Sequence, residues 1–277
     1  MIRTTRVLTL AAALSLLFVG AANAGAVLDK IHNTKSMTVA TSAIWPPQGF
    51  INDKNEIDGF DIDVSKEIAK RLGVEVKFIT PDWDVITAGS WNGRWDMSVG
   101  SMTATQSRAR ILDFPATYYY VPYVFAVHKD SKLTDHKALN GKTIGVEGGT
   151  TSEDYLNEKL AIETSDVPPV TYDVKAGKMK TYSGSLAPLD DLRLGDGVRL
   201  DAILTQQSTL EAAIKKNYPL RAIDNDVVFY EPLAIATDKG DPELKAKLSE
   251  IVAEMHKDGT LTKLSTKWYG VDYSTVK

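Results

Sequence analysis

Short β-rich apolar runs alternate with segments of helical period along most of this chain, and the series occurs twice. The strand-like "MTVAT" (37–41) precedes "GFDIDVSKEIAKRLG" (59–73). There Val64, Ile68 and Leu72 recur every four residues on one helical face, and Gly73 stands where a left-handed cap ends a helix. "VEVKFI" (74–79) reads as the next strand, and "WDVITAGSWNGRWDMSVG" as a short helix followed by a strand ending at Gly100. The second series runs through "GKTIGV", "TTSEDYLNEKLA", "PPVTYDV" and "LDDLRLGDGVRLDAIL", as strand, helix, strand, then helix, turn and strand. Alternation of this kind predicts an α/β fold, and its repetition predicts two similar lobes in preference to one long sheet.

Two β-rich runs, "YYYVPYVFAVHKDS" (118–131) and "VVFYEPLAIATDKG" (227–240), are placed to cross between the lobes. Two crossings return the C-terminus to the first lobe, giving residues 25–125 with 235–277 as lobe 1 and 126–234 as lobe 2. The returning segment has Asp241 as N-cap, Pro242 at the first helical position, an apolar face of Leu244, Leu248, Ile251 and Met255, and Gly259 as stop. The polar stretch "DVKAGKMKTYSGSLAPL" (173–189) reads as a loop longer than a usual connection, either functional or a solvated surface excursion.

Residues 1–24 have the form of an export signal: Arg3 and Arg6, an apolar run from Val7 to about Val19, and Ala22 and Ala24 around Asn23. Cleavage is expected after Ala24. A membrane anchor is the alternative, but the run is shorter than the ~20 residues a spanning helix needs. The chain has no cysteine, hence no lipid-anchoring thiol and no disulfide framework. A periplasm is the expected location. Loss of residues 1–24 takes the formal charge from -4 to -6, and a mildly acidic surface argues against nucleic-acid partners. With 43% hydrophobic and 25% charged residues, the chain is expected to bury a full core.

The familiar enzyme signatures do not occur in the sequence. "GSWNG" places Trp at the centre of what would be a nucleophile elbow, and no phosphate-binding G-x-x-x-x-G-K-[ST] occurs. His32, His128, His136 and His256 are scattered without metal-ligand spacing, so no metal or cofactor is expected. In "GKTIGVEGGTTSEDY" a strand runs into Gly148 and Gly149 and then into Thr150 and Thr151 at a helix start. Such a turn is either an anion site or a plain N-cap. Its counterpart is "GSMTATQSR" (100–108), where Arg108 offers a planar fork of donors and Ser101 and Thr103 add hydroxyls, a set suited to a carboxylate. A surface ion pair with Asp113 is the simpler role for that arginine.

The chain resembles the bacterial extracellular solute-binding proteins of the polar amino-acid type, family 3, the receptors of ABC importers. "GFDIDV", "WD", "GSMTATQSR", "LDFPATYYY", "GKTIGVEGGTT", "LDAIL" and "WYG" fall in that family's order and approximate spacing, over roughly residues 30 to 275. The resemblance implies the type II periplasmic-binding-protein fold, two mixed sheets with flanking helices joined by a two-strand hinge. It also implies a membrane permease as partner and, by our reading, a monomer. It places Arg108 on the ligand carboxylate with help from Gly100, Ser101, Thr103 and, across the cleft, Thr151. Trp45 and Trp83 would flank the ligand side chain. Both follow predicted strands in loops, where they suit stacking or cation–π contact, although packing within the first lobe explains them too.

Two positions depart from the family's pattern. The carboxylate expected for a ligand ammonium after "LDAIL" is here Gln206, which accepts a hydrogen bond but brings no charge; the acid that basic-amino-acid members carry in the first loop is Ser42. Glu147 is placed to supply a negative charge from the second lobe. The expected function is therefore binding of an amino acid or a derivative, arginine-like or an opine, by hinge closure. The rival from another class is a periplasmic cyclohexadienyl dehydratase-like enzyme on the same scaffold, with Glu147 as its candidate acid. The ligand-sensing part of a signalling receptor is disfavoured, since no membrane or output segment follows residue 277.

Overall fold

The computed structural model describes residues 25–276 except 163, 165 and 225; the expected export signal and its cleavage site lie outside the described residues. Helix α1 (Ala26–Thr34) leads into β1 (Ser36–Ala40), followed by a small antiparallel sheet of β2 (Ile44–Trp45), β3 (Gly49–Ile51) and β4 (Ile57–Asp58). Then come α2 (Phe60–Leu72), β5 (Glu75–Ile79), α3 (Trp83–Thr87), β6 (Met97–Thr103), α4 (Gln106–Ala109) and β7 (Leu112–Asp113). The first crossing strand is β8 (Thr117–His128). Beyond it lie β9 (Thr143–Glu147), α5 (Thr151–Leu156), β10 (Lys178–Tyr182), α6 (Leu186–Leu192), β11 (Ala202–Gln206), α7 (Gln207–Lys215) and β12 (Leu220–Ala222). The second crossing strand, β13 (Phe229–Asp238), returns the chain to α8 (Pro242–Lys257) and α9 (Thr260–Tyr269).

Helix α2 forms as its period predicts: Val64, Ile68 and Leu72 are buried, and Gly73 caps it in the left-handed conformation with φ 69°. The N-cap of α8 is also as read, Asp241 accepting from Leu244 N at 2.8 Å. Its other oxygen accepts from Val27 N at 2.8 Å, so one side chain ties the first helix to the penultimate one.

The strands run in the order β10-β9-β11-β8-β13-β6-β1-β5. The two expected sheets therefore meet on their shared crossing strands, which pair antiparallel from Phe229↔Tyr123 to Leu233↔Tyr119. Buried apolar residues divide at that seam. Ile31 to Val121 and Leu233 to Tyr269 form the first core, with Trp91, Trp95 and Met102 in a satellite, while Tyr123 to Phe229 form the clusters of the second half.

The 168–174 segment corrects the expected element map. "PPVTYDV" carries no strand; Val170, Tyr172 and Val174 pack on the second core without a ladder partner. The strand is β10, inside the stretch read as a loop, and it pairs parallel with β9 from Lys178↔Thr143 to Tyr182↔Glu147. Alternation alone does not choose between two adjacent candidates; the partner's edge does.

Candidate functional site

The site lies where the two halves face one another across the crossing strands. A cavity of about 790 Å³ is lined from the first half by Trp45, Asp82, Trp83 and Asp84, and from the second by Glu147 and the segment Thr181–Ser185. Its charged lining residues are all acidic. Trp45 and Trp83 meet edge to face, ring centroids 6.3 Å apart at 77°. Each also reaches across: Trp45 Nε1 donates to Thr209 Oγ1 at 3.1 Å, and Trp83 Nε1 to the Gly149 carbonyl at 3.2 Å. The indoles thus have apolar faces for a ligand and polar edges that bridge the halves.

Arg108 is buried at the base of this arrangement. Thr105 caps α4 by accepting from Arg108 N, which turns the guanidinium back towards β6. Nη1 donates to the Thr103 carbonyl at 3.1 Å, Nη2 to the Gly149 carbonyl of the opposite half at 2.8 Å, and Cζ lies 5.2 Å from the centre of the Trp83 ring. Asp113 pairs instead with Lys245 and Lys239, so the surface ion pair considered for Arg108 does not form.

Behind the arginine stands a group that sequence reading passed over. Glu231, on β13, is 3% exposed. Its Oε1 accepts from Thr103 Oγ1 and, at 2.7 Å, from Thr151 Oγ1; its Oε2 accepts from Gln206 Nε2 at 2.8 Å. Burial pushes this carboxyl up, while the three donors and the Arg108 charge pull it down. The signal was an acid inside an apolar crossing strand, "VVFYEPLAIA", read only as a crossing. Gln48, fully buried, was also missed; its Nε2 donates to Gln206 Oε1 at 2.6 Å and to Ser208 Oγ at 3.1 Å. Glu147 borders the cavity, and its carboxyl is pushed up to about 7, first by burial and then by the Glu231 charge.

Three expected contributors are placed differently. Ser101 faces the first core: its hydroxyl donates to Asp61 Oδ2 at 2.8 Å and pairs with Tyr119, and its backbone is left-handed at φ 53°. That φ turns the side chain away from the face on which Thr103 lies, so Ser101 does not join the arginine. Gly100 is buried in β6 with space for a Cβ in ordinary contact, 3.5 Å from Ser98 Oγ, so no close approach requires glycine there. The Gly148-Gly149 turn precedes a helix of only six residues, and Glu153 Oε2 accepts the Gly149 N–H at 2.6 Å. The amide cradle expected there is thus partly used by the chain itself, and Thr151 contributes through its hydroxyl. Among the described residues no group of three or more metal-ligating side chains occurs.

Two α/β halves on a pair of crossing strands, with a polar and aromatic cleft between them, define the class of two-lobed binding proteins. Residues 37–271 match the bacterial extracellular solute-binding proteins, family 3, and the chain belongs to that family. It is 29% identical over 248 residues to the L-cystine-binding protein TcyJ of Escherichia coli K12, covering 89% of this chain and 87% of that one. It is 26% identical to the L-arginine-binding protein of Pseudomonas aeruginosa PAO1, covering 86% and 89%. Among solved structures, the ancestral amino acid-binding protein AncCDT-1, a precursor of cyclohexadienyl dehydratase, superposes with a TM-score of 0.75 at 30% identity, covering 88% of this chain and all of that one. A mutant of the arginine-binding protein of T. maritima gives 0.74 at 28%, covering 88% and 99%.

Proposed function

We propose that this protein captures an amino acid or a close derivative in the periplasm and delivers it to the permease of an ABC importer. The observation that carries the reading is the position of Arg108, buried between the halves, over Trp83 and bonded to a carbonyl of the opposite half. A ligand carboxylate that takes this guanidinium from Gly149 gains a charge-assisted, two-pronged bond in place of a neutral one. Thr103 and Thr151 stand on either side through Glu231, and Trp45, Trp83 and Glu147 offer an aromatic and acidic enclosure for a cationic ligand end. The names of the relatives, which bind cystine and arginine, support the same ligand class. The lobes close on a ligand because it touches both only in the closed form, and that difference in affinity shifts the population.

A thermal-shift screen of residues 25–277 against amino acids, opines and other small carboxylates tests this. A cognate ligand at a hundred times its Kd stabilises the native state by about 2.7 kcal/mol. Arg108→Ala is expected to abolish that shift while the protein still unfolds cooperatively; a variant that binds within a few-fold of the parent would remove the carboxylate role. The N-terminal mass of the exported protein, expected to begin at Gly25, checks the leader.

A second reading is favoured by Glu147, whose carboxyl at about 7 beside a cavity suits a general acid. Turnover of prephenate or arogenate by the purified protein, lost in Glu147→Gln, would replace the receptor by a dehydratase.

A further inference from the structure

Between α5 and β10 the chain runs through residues 157–177 without a helix or strand of its own. Connections this long are uncommon unless they carry a function. Its apolar residues Leu160, Val170, Tyr172 and Val174 pack on the second core, which holds it to the second half. One short part reaches out of that half. The Ala161 carbonyl accepts from Gln106 N at 2.9 Å, and Ile162 forms an antiparallel bridge with Thr105, so backbone meets backbone across the halves. The other cross-cleft contacts described above use a side chain on at least one side.

The segment lands on the start of the helix that carries Arg108. Thr105 caps α4, and Gln106 is its first residue. A first-turn N–H has no carbonyl to bond within its own helix, so that of Gln106 needs a partner from outside. Ala161 is that partner, and it stands on the half opposite Arg108. The Arg108 guanidinium is bonded to the same half through the Gly149 carbonyl. Helix α4 is thus held from across the cleft both at its first residue and at its arginine.

We propose that the Ala161–Ile162 segment is a clasp for the ligand-bound state: its bond to Gln106 forms as the halves close, holds the Arg108 helix against the second half, and slows ligand release. The inference rests on the amino-acid reading above, since the closure in question is closure on a ligand. Gln106 and Ala161 are both exposed, so opening about β8 and β13 hands their N–H and carbonyl to water and leaves no buried group unpaired. The contact therefore favours closure without making it irreversible. Neither Ala161 nor Ile162 lines the cavity, so the effect should be the same for every ligand that closes the halves.

Stopped-flow fluorescence and calorimetry with L-arginine, L-lysine and L-cystine decide it. Gln106→Pro removes the N–H while suiting the fold: proline is favoured at a first helical position, and Thr105, at φ -79° and ψ 157°, already has the backbone that precedes a proline. Gln106→Ala keeps the N–H and serves as the reference. Dissociation of a bound amino acid is expected to be about two- to ten-fold faster in Gln106→Pro, the effect of one neutral hydrogen bond, with association little changed. The melting temperature without ligand should match wild type, and Gln106→Ala should release ligand as wild type does. Release at the wild-type rate in Gln106→Pro overturns the clasp, and so does equal acceleration in both variants, which would assign the effect to the side chain. A fall in the ligand-free melting temperature as large as the fall with ligand overturns it too, because the contact would then belong to the fold in both states. In each of these cases the amino-acid reading stands. Binding of none of the three amino acids to the wild type overturns both.

Discussion

Asp61 is fully enclosed in the first core, where its two oxygens accept from Tyr118 (2.7 Å) and Ser101 (2.8 Å). Burial is the larger influence and lifts its carboxyl to about 7 against the two donors. In the unfolded chain it titrates near 3.9. Between those values the native state holds a proton that the unfolded state has lost, so stability from this group is full below about pH 4, declines to pH 7 and is level above. Glu147, also lifted to about 7, acts in the same direction. Asp61→Asn should therefore flatten the fall of unfolding free energy between pH 4 and 7 by at most about 1.4 kcal/mol per pH unit. Urea melts across that range measure it, and a slope equal to wild type would mean that Asp61 is ionised in the fold. Arg108, Thr103, Thr151 and Gln206 were legible in the sequence and converge on one point; what they converge on, Glu231, was not. A carboxylate surrounded by apolar neighbours in sequence reveals its partners only when β6, α5 and β11 deliver them.

Elements whose boundaries rest on local chemistry matched their sequence signals, as with Gly73 ending α2 and Asp241 opening α8. β10 is a different case. It begins after Gly177, where a Cβ would lie 2.2 Å from the Gly141 carbonyl oxygen and 2.6 Å from its carbon. Only glycine lets the strand enter this close to the start of β9. Gly177→Ala is expected to displace β10 at a cost of about 1–3 kcal/mol, by overpacking against backbone that has no room to yield. Because β10 leads directly into the cavity wall at Tyr182–Ser185, ligand affinity should fall as well. Thermal melts with and without ligand separate the effects; an unaltered melting temperature would mean that the backbone accommodates the methyl group. The sequence showed this stretch as polar and Lys-bearing, hiding a strand that is only half-buried, with pattern exposed, intermediate, intermediate, exposed, intermediate.

For the molecule as a whole, the crossing strands β8 and β13 link the halves while the apolar cores change over between Val121 and Tyr123 and between Phe229 and Leu233. Each half therefore has its own core, and the contacts bridging the cleft are polar: Arg108 and Trp83 to Gly149, Trp45 to Thr209, Gln48 to Gln206. Such contacts exchange with water at small net cost, about 0.5–1.5 kcal/mol each, whereas separating an apolar core would not. Opening about the two strands is thus the easy motion of this fold. Small-angle scattering should show a smaller radius of gyration in saturating ligand than without it, and no ligand-induced change in Arg108→Ala. A ligand that binds tightly without compacting the wild type would mean that hinge closure is not the response.

The sequence by itself determined the α/β character, the doubled series and the two crossings, because these depend on residue periodicity and on caps that act within a few positions. Its motifs also pointed to several residues that meet between the halves, Arg108, Trp45 and Trp83 among them. Tertiary structure decided the rest: that Ser101 turns into the core, that β10 and not 168–174 joins the sheet, and that Glu231 and Gln48 complete the polar centre. Each of these depends on a partner far away in the chain. The free energy that fixes a buried carboxylate or amide comes from neighbours that only the fold brings within hydrogen-bonding distance.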